Sequence, residues 1–294
     1  MREFWMIELN LTSTSLVNQK YNNFIKKERS YFHPGAIHSF SHSIIQSLTM
    51  KDNFSTQSAD YAIYRPTYPQ ELYDYLFSLV KNKEKAWDCA TGNGQVARVL
   101  AQYFDAVYAT DISENQLKNA LQLPNITYQV ESAEKTSAGD KNFDLITVAQ
   151  AIHWFNFEAF YAEVKRTLKP DGLFAVIGYG LMFIDKKVDK AVHKLYEDIL
   201  GKYWDSERRY IEEGYKTIPF PFEEIIAPHF QIKITWNFSQ LIGYLNTWSS
   251  LQHYKKANER NPLEYMFTEL KEAWGDDAEK DVHFPVLLRI GRPA

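Results

Sequence analysis

Four residues hold the chemistry that this chain advertises: Asp88, Gly92, Gly94 and Asp111. The run Trp87-Asp88-Cys89-Ala90-Thr91-Gly92-Asn93-Gly94-Gln95 reads as the end of a short buried strand, a tight turn and the first residue of a helix. Glycines in such a turn let backbone amides approach a ligand closely, and the helix N-terminus behind them faces it. Asp111 lies 19 residues after Gly92, at the end of the next apolar run. A carboxylate placed there can accept both hydroxyls of a ribose. The pattern is that of a nucleotide-type site.

Two ligand classes use such a unit. Gly92-x-Gly94-x-x-Ala97 satisfies the dinucleotide fingerprint G-x-G-x-x-G/A. Against a nicotinamide cofactor stands Asp88, whose charge would lie close to a pyrophosphate. A ligand with a cationic amino-acid end fits better, and S-adenosylmethionine carries both an ammonium and a sulfonium. Other chemistries lack their signatures: there is no G-x-S-x-G elbow, no Lys-Ser/Thr phosphate loop and no H-E-x-x-H helix.

The elements that must position these residues follow from the apolar periodicity. Lys85 to Cys89, Val107 to Thr110, Ile126 to Val130, Phe143 to Val148 and Leu173 to Ile177 read as strands. Between them, Gln95 to Tyr103 repeats apolar residues at i, i+3, i+4 and i+7, and Phe155 to Leu168 carries one apolar side. Gln70 to Val80 and a segment from Ser113 complete the helices, with Ser113-x-x-Gln116 fitting a capping box. Lys169-Pro170-Asp171-Gly172 reads as a turn. Alternation of this kind predicts an α/β, doubly wound, mostly parallel sheet covered on both faces. Residues 182–228 read as mostly helical, Ile232 to Phe238 and Val282 to Ile290 as the last two strands, with helices between them.

The stretches YAIYRPTYPQELYDYL (61–76), DCATGNGQ (88–95), ATDIS (109–113), VESAEKT (130–136), AQAIHWF (149–155) and LKPDGLFAV (168–176) make residues 50–294 resemble class I S-adenosylmethionine-dependent methyltransferases. The resemblance is to the small-molecule branch that includes the trans-aconitate and cantharidin methyltransferases. One departure is Ala90, where the family often has Gly. The resemblance implies a Rossmann-like seven-stranded sheet with an antiparallel last strand and a helical, substrate-side insertion after strand 5, at about 180–260. It implies cofactor contacts from Asp88, Ala90, Gly92, Gly94, Gln95, Asp111 and Ile112. It adds Ala133 and Glu134 beside the adenine, Gln150 near the methionine portion, and Tyr64 and Arg65 in a flap. His153 is the candidate base or orienting donor. The expected activity is methyl transfer to a small organic acceptor. The alternatives are a regulatory protein that binds the cofactor without turnover, or a nicotinamide-dependent oxidoreductase.

Composition bounds the rest. With 294 residues, 45% hydrophobic and 24% charged, the chain has the make-up of a globular protein with a sizeable core. A net charge of -4 without a basic block argues against nucleic-acid binding. One cysteine, Cys89, leaves no internal disulfide and no cysteine-built zinc site. No apolar run has spanning length, and the expected setting is cytoplasmic, as monomer or homodimer. Residues 1–49, rich in Ser, Asn and His, are expected to be a poorly ordered extension; His38 and His42 lack a third ligand, so no metal is expected. Aromatics crowd the C-terminal third, as core, as pocket lining, or as both. Arg65, with Lys186, Lys187, Arg208 and Arg209 around the insertion, suggests an anionic acceptor modified on oxygen.

Overall fold

The computed structural model describes residues 64–294. The expected extension of residues 1–49, the two histidines in it and Tyr61 lie outside the described residues. Helix α1 (Gln70–Leu79) buries Leu72, Tyr73, Leu76 and Phe77 on one side, the spacing of a single helical face. Strands β1 (Lys85–Cys89), β2 (Ala106–Asp111), β3 (Ile126–Val130), β4 (Phe143–Ala149) and β5 (Leu168–Tyr179) follow. They pair in parallel in the order β3-β2-β1-β4-β5. Parallel pairing requires crossovers, supplied here by α2 (Gln95–Leu100), α3 (Glu114–Lys118) and α4 (Phe157–Thr167). β4 is buried along nearly its whole length, as a strand covered on both faces must be. One face packs Leu72, Leu76, Val96 and Leu100 on Val107 and Leu145. The other packs Phe160 and Val164 on Trp87, Ile146 and Phe174.

The second half of the chain departs from a plain seven-stranded sheet. Strand β8 (Lys280–Arg292) is 13 residues long and pairs antiparallel with β5 through Val286–Gly291. Its far edge is taken by β6 (Glu223–Ile225), three residues long, which the sequence reading missed. The predicted sixth strand is β7 (Gln231–Trp236), and it pairs antiparallel with the first half of β8, residues 280–285. The sheet thus has seven strands along its path and an eighth beside β8. Helices α5 (Lys186–His193), α6 (Arg209–Glu212), α7 (Phe238–Asn246), α8 (Ser249–Asn258) and α9 (Pro262–Trp274) form a cap. Its own core contains Leu195, Trp236, Leu241, Leu270 and Phe284.

Three boundaries differ from expectation, each for a local reason. α2 stops at Leu100 because the amides of Gln102 and Tyr103 turn to carbonyls three residues back. α4 starts at Phe157, since Asn156 caps it by accepting from the Ala159 amide, and it ends where Leu168 joins β5. Lys169–Gly172 is a bulge inside β5 and no separate turn: Phe143 pairs with Leu168 and Leu145 with Leu173, so the extra residues loop out between two pairings.

Candidate active site

The turn between β1 and α2 holds three residues with left-handed backbone: Ala90 at φ 52°, Gly92 at φ 57° and Gly94 at φ 81°. Ala90 therefore adopts, with a side chain, a conformation that favours glycine. The two glycines serve different ends. A Cβ on Gly92 would meet nothing within 4 Å, so open space lies over it. A Cβ on Gly94 would sit 2.5 Å from the Tyr128 hydroxyl, so Gly94 is required by packing and by the start of α2.

Asp88 closes this turn from inside the sheet. One oxygen accepts from Thr91 Oγ1 at 2.5 Å and from the Ala97 amide at 3.0 Å; the other accepts from Thr147 Oγ1 at 2.9 Å. It is 1% exposed. The geometry makes it the cap of the turn and of α2, and burial raises its carboxyl to about 6 against the pull of those bonds. Asp111 ties the same turn to β2: one oxygen accepts from the Gly92 amide at 2.9 Å, the other from the Ser113 amide at 2.8 Å. Ile112, beside it, is exposed, an apolar plate next to a half-buried carboxylate. Gln95 opens α2. Ala133 is buried after β3, and Glu134 is held by Ser132 Oγ and by the Asn156 amide. An open space over a glycine turn, a half-buried carboxylate and an apolar plate fit an adenosyl ligand.

Gln150, at the end of β4, carries the signal on to a second feature. Its backbone is left-handed, φ 54°. Together with Arg65, His153, Trp154, Asp205, Arg208 and five further residues, it lines a cleft of about 560 Å³, open solvent at its mouth included. The aromatic walls are Trp154, Trp204, Tyr244 and Trp248. Tyr244 and Trp248 belong to the cap core and line the cleft at once.

Two guanidinium groups enter this cleft. Arg65 donates to the Tyr179 hydroxyl and to the Thr247 carbonyl, each at 3.1 Å, and lies over the Tyr244 ring. Tyr64 packs on Gly243 of α7, where a Cβ would strike its ring. This pair thus docks on the cap and on β5. Arg208 donates through Nε to Tyr196 Oη at 2.9 Å and stacks 4.8 Å above Trp204; it lines the same cleft as Arg65. Lys186 and Lys187 line a different groove with Asp185, Glu272 and Trp274, and Arg209 faces outward beside Tyr210. They take no part in the cleft. His153 is 6% exposed, and burial, with Arg208 adding, lowers its imidazole to about 3. It is neutral near pH 7 and a weak base.

Comparison with known proteins agrees with this geometry. The Methyltransferase domain family matches residues 87–176. A putative methyltransferase of Dictyostelium discoideum is 36% identical over 249 residues, 82% of this chain and 95% of that protein. A probable S-adenosylmethionine-dependent methyltransferase of Saccharomyces cerevisiae is 29% identical over 55% of this chain and 60% of its own length. A solved structure, a putative type II methyltransferase from Anaeromyxobacter dehalogenans, matches with a TM-score of 0.73 at 37% identity, covering 79% of this chain and 100% of that one. These relatives remove the oxidoreductase alternative, and the chain belongs to the class I S-adenosylmethionine-dependent methyltransferases.

Proposed function

We propose that the enzyme methylates an oxygen of a small, carboxyl-bearing organic acceptor held in the cleft between the sheet and the cap. The observation that carries this reading is the presence of Arg65 and Arg208 in one aromatic-walled cleft beside a neutral His153. Two guanidinium groups recognise a carboxylate through charge-assisted hydrogen bonds. A carboxylate arrives already ionised and needs no base, which suits an imidazole this far below the usual histidine range.

S-adenosylmethionine supplies a methyl group already activated on a sulfonium. The residues proposed to hold it are the turn Ala90–Gln95, Asp111 and Ile112, with Ala133, Glu134 and Gln150 completing the wall; Asp88 acts through the turn it caps. The chain's own contribution is then alignment and exclusion of water, which is where most of the rate of an in-line displacement arises. Arg65 and Arg208 hold the acceptor's charge, and Trp154, Trp204 and Trp248 enclose it. Resemblance to the trans-aconitate and cantharidin branch supports a small acid or acid-derived acceptor. In this reading the protein works in the cytoplasm, alone or as a homodimer, on a small molecule and not on nucleic acid, consistent with its net charge of -4. Among the described residues no helix is long and apolar enough to cross a membrane.

The test compares methyl transfer from labelled donor to a panel of free acids and to their amides. Acids are expected to be methylated and amides not. Arg65→Ala and Arg208→Ala should each raise the acid's KM roughly ten- to hundred-fold, the size of one lost charged hydrogen bond. Equal transfer to amides, or an unchanged KM in both variants, would overturn the carboxylate reading.

A further inference from the structure

One buried side chain, Tyr196, holds two members of the cleft lining, Trp204 and Arg208, without lining the cleft itself. It lies in a π-helical turn, Lys194–Ile199, that continues α5. There the Leu200 amide reaches back five residues to the Leu195 carbonyl at 3.0 Å, where an α-helix would send it to Tyr196. The Tyr196 carbonyl accepts from Trp204 Nε1 at 3.1 Å, and the two rings pack with centroids 4.7 Å apart. One widened helical turn thus fixes a wall of the cleft. Such turns are rare and recur at working sites.

The Tyr196 hydroxyl has two partners whose roles are fixed by their chemistry. Arg208 Nε carries a hydrogen and can only donate, so the Tyr196 oxygen accepts, at 2.9 Å. The Glu212 carboxylate only accepts, so the phenol proton points to it, at 2.5 Å, a length usual for O–H···O⁻ bonds. Burial pushes the phenol up to about 12, so that proton is present at neutral pH. The guanidinium also lies over two rings, with Cζ 4.8 Å from the Trp204 centroid and 5.5 Å from that of Tyr196. With Nε engaged, the edge that pairs Nε with one terminal nitrogen is closed to a two-point contact. The terminal nitrogens Nη1 and Nη2 have no hydrogen-bond partner among the described residues, and Arg208 lines the cleft.

We propose that Tyr196, oriented by Glu212, is the positioning residue of the acceptor cleft: it holds Trp204 by Nε1 and Arg208 by Nε, so that a carboxylate is received end-on by the Nη1 and Nη2 hydrogens of Arg208; the last step rests on reading the cleft as the acceptor site. Two parallel N–H···O bonds need two acceptor oxygens, so the group recognised is a free carboxylate. An amide brings one acceptor oxygen and turns its own N–H groups towards donors. A lysine at position 208 would keep the charge but lose the Nε bond and the paired donors. Tyr196 and Glu212 act through Arg208 and Trp204 and touch no substrate.

The positioning is read without any acceptor, by ¹H–¹⁵N NMR of the arginine Nε–H groups in the full chain at pH 7, with Arg208 assigned by loss of its signal in Arg208→Lys. A hydrogen-bonded Nε–H exchanges slowly with water, so the Arg208 signal is expected to persist where that of exposed Arg98 is lost. Exchange at Arg208 as fast as at Arg98 overturns the proposal, and this reading needs no variant to fold. Tyr196→Phe should bring Arg208 to the Arg98 rate; an unchanged rate in the folded variant removes the role of Tyr196. Glu212→Ala, at an exposed position, should also speed exchange, and an unchanged rate removes the role of Glu212. Recognition is then read by titrating benzoate and benzamide, which share a shape and differ in charge. Benzoate is expected to shift the Arg208 signal and benzamide not. Tyr196→Phe should weaken benzoate binding roughly tenfold and leave the Kd of S-adenosylmethionine unchanged; equal weakening of both ligands marks a general loss of structure and overturns the positioning role. An equal response to both probes, or none to either, overturns the acceptor-site reading while the exchange result stands, and so separates the two failures.

Discussion

Burial raises the Asp88 carboxyl to about 6, although Thr91, Thr147 and the Ala97 amide all bond to its charged form and pull the other way; the charge of Asp111 adds to the rise. A folded pKa above the unfolded value near 3.8 means that between about pH 4 and 6 the native chain binds a proton that the unfolded chain lacks. Stability therefore falls as pH rises through that window, and above it the fold carries an ionised carboxylate in a dry place. Asn can satisfy the same partners: its oxygen takes the Ala97 amide and Thr91, and its nitrogen donates to Thr147 Oγ1. Asp88→Asn should thus raise the thermal midpoint at pH 7.5, by a stabilisation of about 3 kcal/mol at most. Thermal unfolding at pH 7.5 and 5.0 checks it; a lowered midpoint at pH 7.5 counts against the argument. His153 has the opposite sign. With a folded value of about 3 against an ordinary 6.5, it costs stability as pH falls below 6.5. Removing the Asp88 slope should leave that acid-side loss visible. Asp88 was legible as a key residue because its neighbours in sequence form the turn. Its main bond across the sheet, to Thr147 59 positions away, was not.

At the scale of the element, the glycine turn makes two separable demands, and substitution distinguishes them. Gly94→Ala places a methyl 2.5 Å from the Tyr128 hydroxyl at a backbone φ of 81°. It should cost about 1–2 kcal/mol from the left-handed backbone alone, and more from the clash. Tyr128→Phe in that background should return part of the loss, because the struck atom is gone. Gly92→Ala meets no protein atom, so its cost is the backbone term only, about 1 kcal/mol. Its methyl enters the space assigned to the cofactor, so affinity should suffer more than stability. Thermal midpoints beside calorimetric Kd values decide, and an unchanged Kd in Gly92→Ala would remove the turn from the binding site. The first five strands were readable because strands of a parallel sheet are continuous apolar runs. Lys169–Gly172 was misread because its turn-forming residues are overruled by pairing of β5 with β4 on both sides. The three residues of β6 are too short to leave a period. The cleft was hardest: Arg65, Gln150, Arg208 and Tyr244 come from distant segments, and only the packing of the cap brings them to one place.

For the whole molecule, one strand decides whether cap and sheet behave as a unit. Residues 280–285 of β8 pair with β7 inside the cap, and residues 286–291 pair with β5 inside the main sheet. Pro285 stands at the changeover: its carbonyl accepts from Gly180 where β5 leaves the sheet, and it lacks the N–H that a continued ladder would use. The chain cannot unfold the cap without pulling on the strand that completes the sheet. Phe284, adjacent and fully buried, makes ring contacts with Tyr179 of β5, Trp236 of β7 and Tyr244 of α7, with centroids 5.4–5.7 Å apart. Tyr179 in turn bonds Arg65 through its hydroxyl and Gln150 through its carbonyl, so the packing under the cap also sets the cleft. Phe284→Ala should cost about 3–5 kcal/mol, the range for a large core side chain that leaves a cavity. The loss should appear in cap and sheet alike, as one lowered unfolding transition followed by tryptophan fluorescence and by far-UV circular dichroism. Native-state hydrogen exchange in the variant should show amides of β7 and of β4 opening at the same free energy, whereas β7 opening far below β4 would show that the cap is an independent unit. In the coupled case the cleft is rigid by construction, and on the proposed function its selectivity rests on the fixed positions of Arg65 and Arg208.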